Sequence, residues 1–130
     1  LGAHQTLDSR DPAKLEAAAG QFDLILSTVD VKLDWNAYIA TLRPKGRLHF
    51  LGATLEPLDI GVFPLILGQR SISASPVGSP ASLETMLGFV ARHGIKPIVE
   101  TYRFDQVNEA LARLNSGEAR YRVVLSHALE

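Results

Sequence analysis

Three short stretches carry the residue types most suited to holding a ligand: Ser27-Thr28-Val29, Gly52-Ala53-Thr54 and Ser75-Pro76-Val77-Gly78. Each closes an apolar or β-branched run, so each stands where a strand would end. Small side chains let a ligand come close to the backbone, and hydroxyls can bond ribose or amide groups. In open parallel sheets, ligands bind beyond the carboxyl ends of the strands. Any one of these stretches alone reads as the start of a loop or the cap of a helix. The three together point to a nucleotide cleft. The phosphate-binding fingerprint of such a cleft is missing, because no two of the ten glycines are separated by a single residue and no Walker loop occurs. Either the sheet binds something else, or the phosphate turn belongs before Leu1.

Other chemistries find less support. The four histidines, His4, His49, His93 and His127, are scattered without metal-ligand spacing. His93 falls near a helix C-terminus, where an imidazolium suits the dipole, and His49 reads as a packed or edge residue of a strand. Cysteine is absent, which removes disulfides, thiolate metal ligands and thiol nucleophiles. No serine sits in a GxSxG elbow, so a hydrolase triad has no anchor. Arg120 and Arg122 flank Tyr121 in a pattern that could meet a phosphate but more often marks exposed strand pairing. No catalytic residue and no metal ligand is assigned.

The elements that must position these tips alternate between helix and strand. "DPAKLEAAAG" is a short helix with Asp11 as cap, Pro12 at its first position and Gly20 as its stop. "FDLILSTV" is a continuous apolar run, the pattern of a parallel strand covered on both faces. "LDWNAYIATLR" is helical and halts at the turn Pro44-Lys45-Gly46. "RLHFLGA" is the next strand, ending on Gly52, and "DIGVFPLILGQR" gives a short helix broken near Gly68. "SISASPVG" is a short strand. "SPASLETMLGFVARHG" is the clearest helix, with Ser79 as cap, Pro80 first, an apolar stripe of Leu83, Met86, Leu87 and Val90, and Gly94 at its end. "KPIVETYRF" is extended, "DQVNEALARLNSG" is helical with Val107, Ala110, Leu111 and Leu114 inward, and "RYRVVLS" is a last strand. The alternation predicts an α/β layered fold with a largely parallel sheet. The last strands are more amphipathic and are candidates for a second sheet.

Bulk properties narrow the rest. With 130 residues, 46% hydrophobic and 21% charged, the chain is one domain's worth and can bury a core. A net charge of −1 with no basic run argues against nucleic acid and anionic membrane partners. No apolar stretch nears the ~18 residues of a membrane span, and a cytoplasmic location is expected. The chain opens "LGAHQTLD" without Met, as expected of a piece of something longer. Leu129 and Glu130 carry no functional weight.

"FDLILSTVD", "LRPKGRLHFLGA", "SISASPVGSPASLETMLGFVARHGIKPIVE" and "VNEALARLNSGEARYRVVL", read in order, resemble the rear part of zinc-dependent alcohol dehydrogenases. The branch is the cinnamyl-alcohol-dehydrogenase-like one of the medium-chain dehydrogenase/reductase superfamily. The resemblance covers nearly the whole chain. It implies a Rossmann-like, partial doubly wound parallel sheet, with residues 1–98 the rear of an NADP-binding domain and 99–130 a return segment of the catalytic domain. It implies that Thr28 and Gly52 line the NADP cleft and that Ser75, Pro76 and Val77 lie along the nicotinamide. Ala74 departs from the glycine common in this branch. The family's zinc ligands, proton-relay hydroxyl and GxGxxG turn have no counterpart in these residues, so zinc belongs to a parent enzyme and the chain alone is expected to be inactive. The parent would pass hydride between NADP(H) and a primary alcohol or aldehyde. A homodimer through the strand Ile72 to Ser75 is also implied. Two alternatives stay open: a non-catalytic dimerising module, and part of a zinc-free quinone reductase of the same superfamily. NADP against NAD is not decided by these residues.

Overall fold

A computed structural model describes residues 2–127 and divides them into two compact units, one up to Gly78 and one from Ser79 onward. In the first unit, Asp11 caps helix α1 (Pro12–Ala17) by accepting from the Ala13 amide at 3.1 Å. Proline at the first position costs no hydrogen bond there. Gly20, at φ +66°, takes the left-handed turn that ends the segment. Strand β1 (Phe22–Ser27) follows, then helix α2 (Trp35–Thr41), whose cap Asp34 accepts from the Ala37 amide at 3.2 Å. Strand β2 (Leu42–Phe50), helix α3 (Val62–Gly68) and strand β3 (Ser71–Ala74) complete the unit. The strands form a parallel sheet in the order β1-β2-β3. Consecutive right-handed crossovers in that order put their helices on one face.

That face carries the core. Ile39, Leu42 and Leu48 are fully buried, with Trp35 and Phe50 beside them. The Trp35 and Phe50 rings meet edge to face at 4.8 Å, a favoured aromatic geometry. Ile25 and Ile72 from the flanking strands and Leu65 from α3 pack against this cluster.

Two local expectations are corrected. Pro44-Lys45-Gly46 does not separate helix from strand: β2 already begins at Leu42, and the three residues form an irregularity inside it. The register jumps there from Phe22 opposite Leu42 to Leu24 opposite Arg47. Lys45 at φ +65° makes the kink, and Gly46 is buried so closely that a Cβ would lie 2.9 Å from the Arg43 carbonyl oxygen. The second correction concerns β1. Its apolar run suggested cover on both faces, yet Leu24 and Leu26 remain 53% and 56% exposed. Both helices that follow the strands sit on the other face, so within this unit one side of the sheet is bare. The strand end moves too, from Gly52 to Phe50.

The second unit opens with helix α4 (Pro80–His93), as its punctuation predicts: the Ser79 hydroxyl accepts from the Ser82 amide at 3.2 Å, and Gly94 at φ +61° closes it. Its stripe is not covered, since Leu83, Met86 and Leu87 stay exposed and only Val90 is half-buried. Strand β4 (Val99–Arg103) leads through a 3-10 turn (Phe104–Gln106) into helix α5 (Val107–Asn115) and then strand β5 (Arg122–Ser126). The two strands pair in parallel as a separate sheet, as their amphipathic pattern suggested. Of the four α5 residues expected inward, Ala110 is buried, Val107 is half-buried, and Leu111 and Leu114 are exposed.

Candidate functional site

The carboxyl ends of β1, β2 and β3 lie side by side and are laced together by main-chain bonds. The Ser27 carbonyl accepts from both the Leu51 amide at 2.8 Å and the Gly52 amide at 3.1 Å. One strand over, the Phe50 carbonyl accepts from the Ser75 amide at 3.2 Å. Thr28, Gly52 and Ser75 are thereby brought to one edge of one sheet, and Pro76 and Val77 continue outward from it. Thr28, Ser75 and Pro76 are exposed, and Val77 is 88% exposed.

Gly52 has a different reason for being glycine than the one its position suggested. A Cβ there would collide with the Val29 carbonyl oxygen and come within 2.7 Å of the Thr28 carbonyl carbon. Its missing side chain therefore lets the tips of β1 and β2 touch; the space is filled by backbone. Beside it, Ser27 is only 7% exposed, and its Oγ finds no hydrogen-bond partner among the described residues. A buried, unpartnered hydroxyl calls for an explanation such as a water or a ligand group.

The loops beyond the tips are pinned. Asn36 of α2 donates through Nδ2 to the Asp59 carbonyl at 2.7 Å and accepts from the Gly61 amide at 3.0 Å. Lys32 Nζ pairs with the Asp59 carboxylate at 2.9 Å, and that hydrogen bond holds the Lys32 ammonium above its ordinary pKa. Both contacts join the segment after β1 to the segment after β2.

One residue that sequence reasoning set aside joins the site. His49 lies on the bare face of β2, half-buried, with Nδ1 2.8 Å from Ser73 Oγ and Nε2 2.9 Å from Ser75 Oγ. Along its strand His49 alternates with Arg47, and along the next Ser73 and Ser75 alternate with Ser71, but only the register of the two strands brings these sets together. In a strand, residues two apart share a face. Register pairs His49 with Ser73. A shallow hollow of about 330 Å³ lined by Gln5, Lys14, Gln21 and Phe22 lies instead at the amino end of β1, the wrong end of a parallel sheet for a ligand.

The residues differ in how they suit the two cofactors at issue. For a dinucleotide, the tips supply exposed hydroxyls at Thr28 and Ser75 and an apolar surface at Val77, residue types that suit one wall of a groove. For zinc they do not fit. The chain has no cysteine, and the described residues contain no group of three or more His, Asp or Glu able to hold a metal.

A sequence model of the zinc-binding dehydrogenase family matches residues 1–125. The chain belongs to that family. Its Rossmann-like parallel sheet is that of the medium-chain alcohol dehydrogenases. It is 62% identical over 128 residues to the aldehyde reductase AdhA of Synechocystis sp., covering 98% of this chain and 38% of that protein. It is 37% identical over 128 residues to the NADP-dependent alcohol dehydrogenase C 1 of Mycolicibacterium smegmatis, covering 98% of this chain and 37% of that one. Among solved structures, a cinnamyl alcohol dehydrogenase of Sorghum bicolor superposes with a TM-score of 0.88 at 35% identity, over 95% of this chain and 35% of the other. The chain thus spans less than two fifths of the length of these relatives. Among the described residues, no helix is long and apolar enough to cross a membrane.

Proposed function

We propose that the tips of β1, β2 and β3 form one wall of an NADP(H) groove in an oxidoreductase that interconverts primary alcohols and aldehydes. The observation that carries this reading is the lacing of Thr28, Gly52 and Ser75 onto one edge of a parallel sheet by the Ser27 and Phe50 carbonyls. NADP as the cofactor is supported by the name of the Mycolicibacterium relative. The nicotinamide, when bound, supplies the hydride chemistry. This chain's residues bind and orient: Thr28 and Ser75 offer hydroxyls to ribose or carboxamide groups, and Pro76 and Val77 offer an apolar surface to a flat ring. The same proposal takes residues 1–98 as cofactor domain and 99–130 as catalytic-domain return segment, places zinc on ligands outside this chain, and puts the enzyme in the cytoplasm. It follows that the 130 residues alone turn over no alcohol and hold NADPH only weakly, since they contain no GxGxxG turn to cradle the pyrophosphate. Titration of the chain with NADPH, followed by amide NMR, should move the resonances of Thr28, Gly52 and Val77 in the millimolar range. Silence at all three would end the groove reading, and tight binding would contradict the need for the missing turn.

A second reading rests on a separate observation. β3 is an edge strand of its sheet, and an unpaired strand edge invites pairing with another chain. Joining of two copies through Ile72 to Ser75 would satisfy that edge. Sedimentation that shows a stable monomer would refute it.

A further inference from the structure

We propose that His49 is a positioning residue whose ring tautomer decides whether the Ser75 hydroxyl meets the bound nucleotide as a donor or as an acceptor. This inference rests on the groove reading and extends it. A neutral imidazole carries one N–H and one bare nitrogen. His49 has both nitrogens engaged by hydroxyls, Ser73 at 2.8 Å and Ser75 at 2.9 Å, so the two ends are coupled. In one tautomer, Nδ1–H donates to Ser73 Oγ and Nε2 accepts the Ser75 O–H; Ser75 then has only lone pairs left for a ligand. In the other, Ser73 O–H donates to Nδ1 and Nε2–H donates to Ser75 Oγ; the Ser75 hydrogen is then free to point at a ligand carbonyl or phosphate oxygen. The change balances as loss of the Nδ1 proton to water and gain of a proton from water at Nε2, while each serine keeps its own hydrogen and turns its hydroxyl.

The geometry confines this function to His49. Ser75 is held on the main-chain side by its amide bond to the Phe50 carbonyl, so its hydroxyl is the part left to adjust. His49 sits on the central strand, between β1 and β3, and its register partner on β3 is Ser73. A leucine or valine there would fill the strand equally well and leave both serines unsatisfied by it.

The test uses the 130-residue chain labelled with ¹⁵N, with long-range ¹H–¹⁵N spectra of the His49 ring recorded at a pH where it is neutral, without and with millimolar NADPH. The expected result is a change in the ratio of the two ring-nitrogen environments on adding NADPH. That response should vanish in Ser75→Ala, which leaves the Ser73 bond in place. His49→Leu should weaken NADPH binding about threefold to tenfold, the scale of one hydrogen bond, and His49→Gln, which keeps a donor and an acceptor, should recover part of it. Dispersed amide spectra of both variants show whether they fold; Ser75→Ala in a folded chain tests the proposal even if His49→Leu does not fold. Should NADPH move Thr28, Gly52 and Val77 while the His49 nitrogens stay unchanged, this inference falls and the groove stands. Should none of them move, the groove reading falls and takes this one with it.

Discussion

The two units of this chain are held by different physics. The first is built around aromatic and branched side chains with nothing left exposed at the centre: Ile39, Leu42 and Leu48 are fully buried, and Trp35 locks against Phe50. In the second, the one apolar residue fully withdrawn from solvent among those described is Ala110. Beside the β4–β5 ladder, a charge cluster ties β4 to α5. Arg113 reaches the Glu100 carboxylate at 3.0 Å and the Glu118 carboxylate at 2.7 Å, and the Arg120 amide donates to Glu100 at 2.9 Å. Burial is non-directional and tolerates wet conditions of any pH, whereas a hydrogen-bonded charge cluster is directional and must stay ionised. The region proposed to meet the cofactor is therefore the one with the rigid interior, as precise placement of strand tips requires.

Removing the largest core side chain should have the largest effect and should separate the units. Trp35→Ala is expected to destabilise the first unit by about 3–5 kcal/mol. Site-resolved hydrogen exchange should show lost protection in β1 to β3 and little change in β4 and β5; equal loss in both would erase the distinction. A smaller but more local effect is expected at Gly52. Gly52→Ala forces a methyl into the Val29 carbonyl, so the tips must part, at about 1–3 kcal/mol. The amide shifts of Thr28, Val29 and Leu51 should move while Trp35 stays in place, and the NADPH response of the tips should fall.

The mildest test concerns acid. The Arg113 side chain, helped by the Arg120 amide, holds Glu100 below its ordinary pKa of 4.5. Arg103 holds Asp105 below its ordinary 3.8 in the same unit. Carboxylates with lowered folded pKa values contribute stability that is complete above their unfolded values and is lost as pH falls through the folded ones. Protection of β4 and β5 should therefore decline below about pH 4.5 before that of β1 to β3 does, and Glu100→Gln should flatten the part owed to Glu100. An equal acid response in both units would count against the contrast.

How much of this was legible in the residues depends on the range of the interaction. Helix limits set by neighbours in sequence were readable: Asp11 and Pro12 start α1, Ser79 and Pro80 start α4, and Gly94 ends it. Pro44-Lys45-Gly46 looked like a turn because turn chemistry and bulge chemistry use the same residues; only pairing with β1, set by distant backbone, tells them apart. The apolar run of β1 correctly marked a parallel strand but overstated its cover, since side-chain composition cannot say which helices are present to lie on it. The three stretches of small residues were readable as strand ends, whereas the choice of Thr28, Gly52, Ser75, Pro76 and Val77 among them came from the family resemblance. His49 was not, because its meaning depends on two serines more than twenty positions away that the register of β2 with β3 brings opposite it.

The bare face of the sheet is graded. At β1 it presents Leu24 and Leu26, and at β2 and β3 it presents Arg47, His49, Ser71 and Ser73. Solvent therefore meets oil along one margin and a wettable lattice of hydroxyls and nitrogens along the other. Crowded copies of the chain would stick first along the β1 margin, and a trace of mild detergent would gather there before anywhere else on that side.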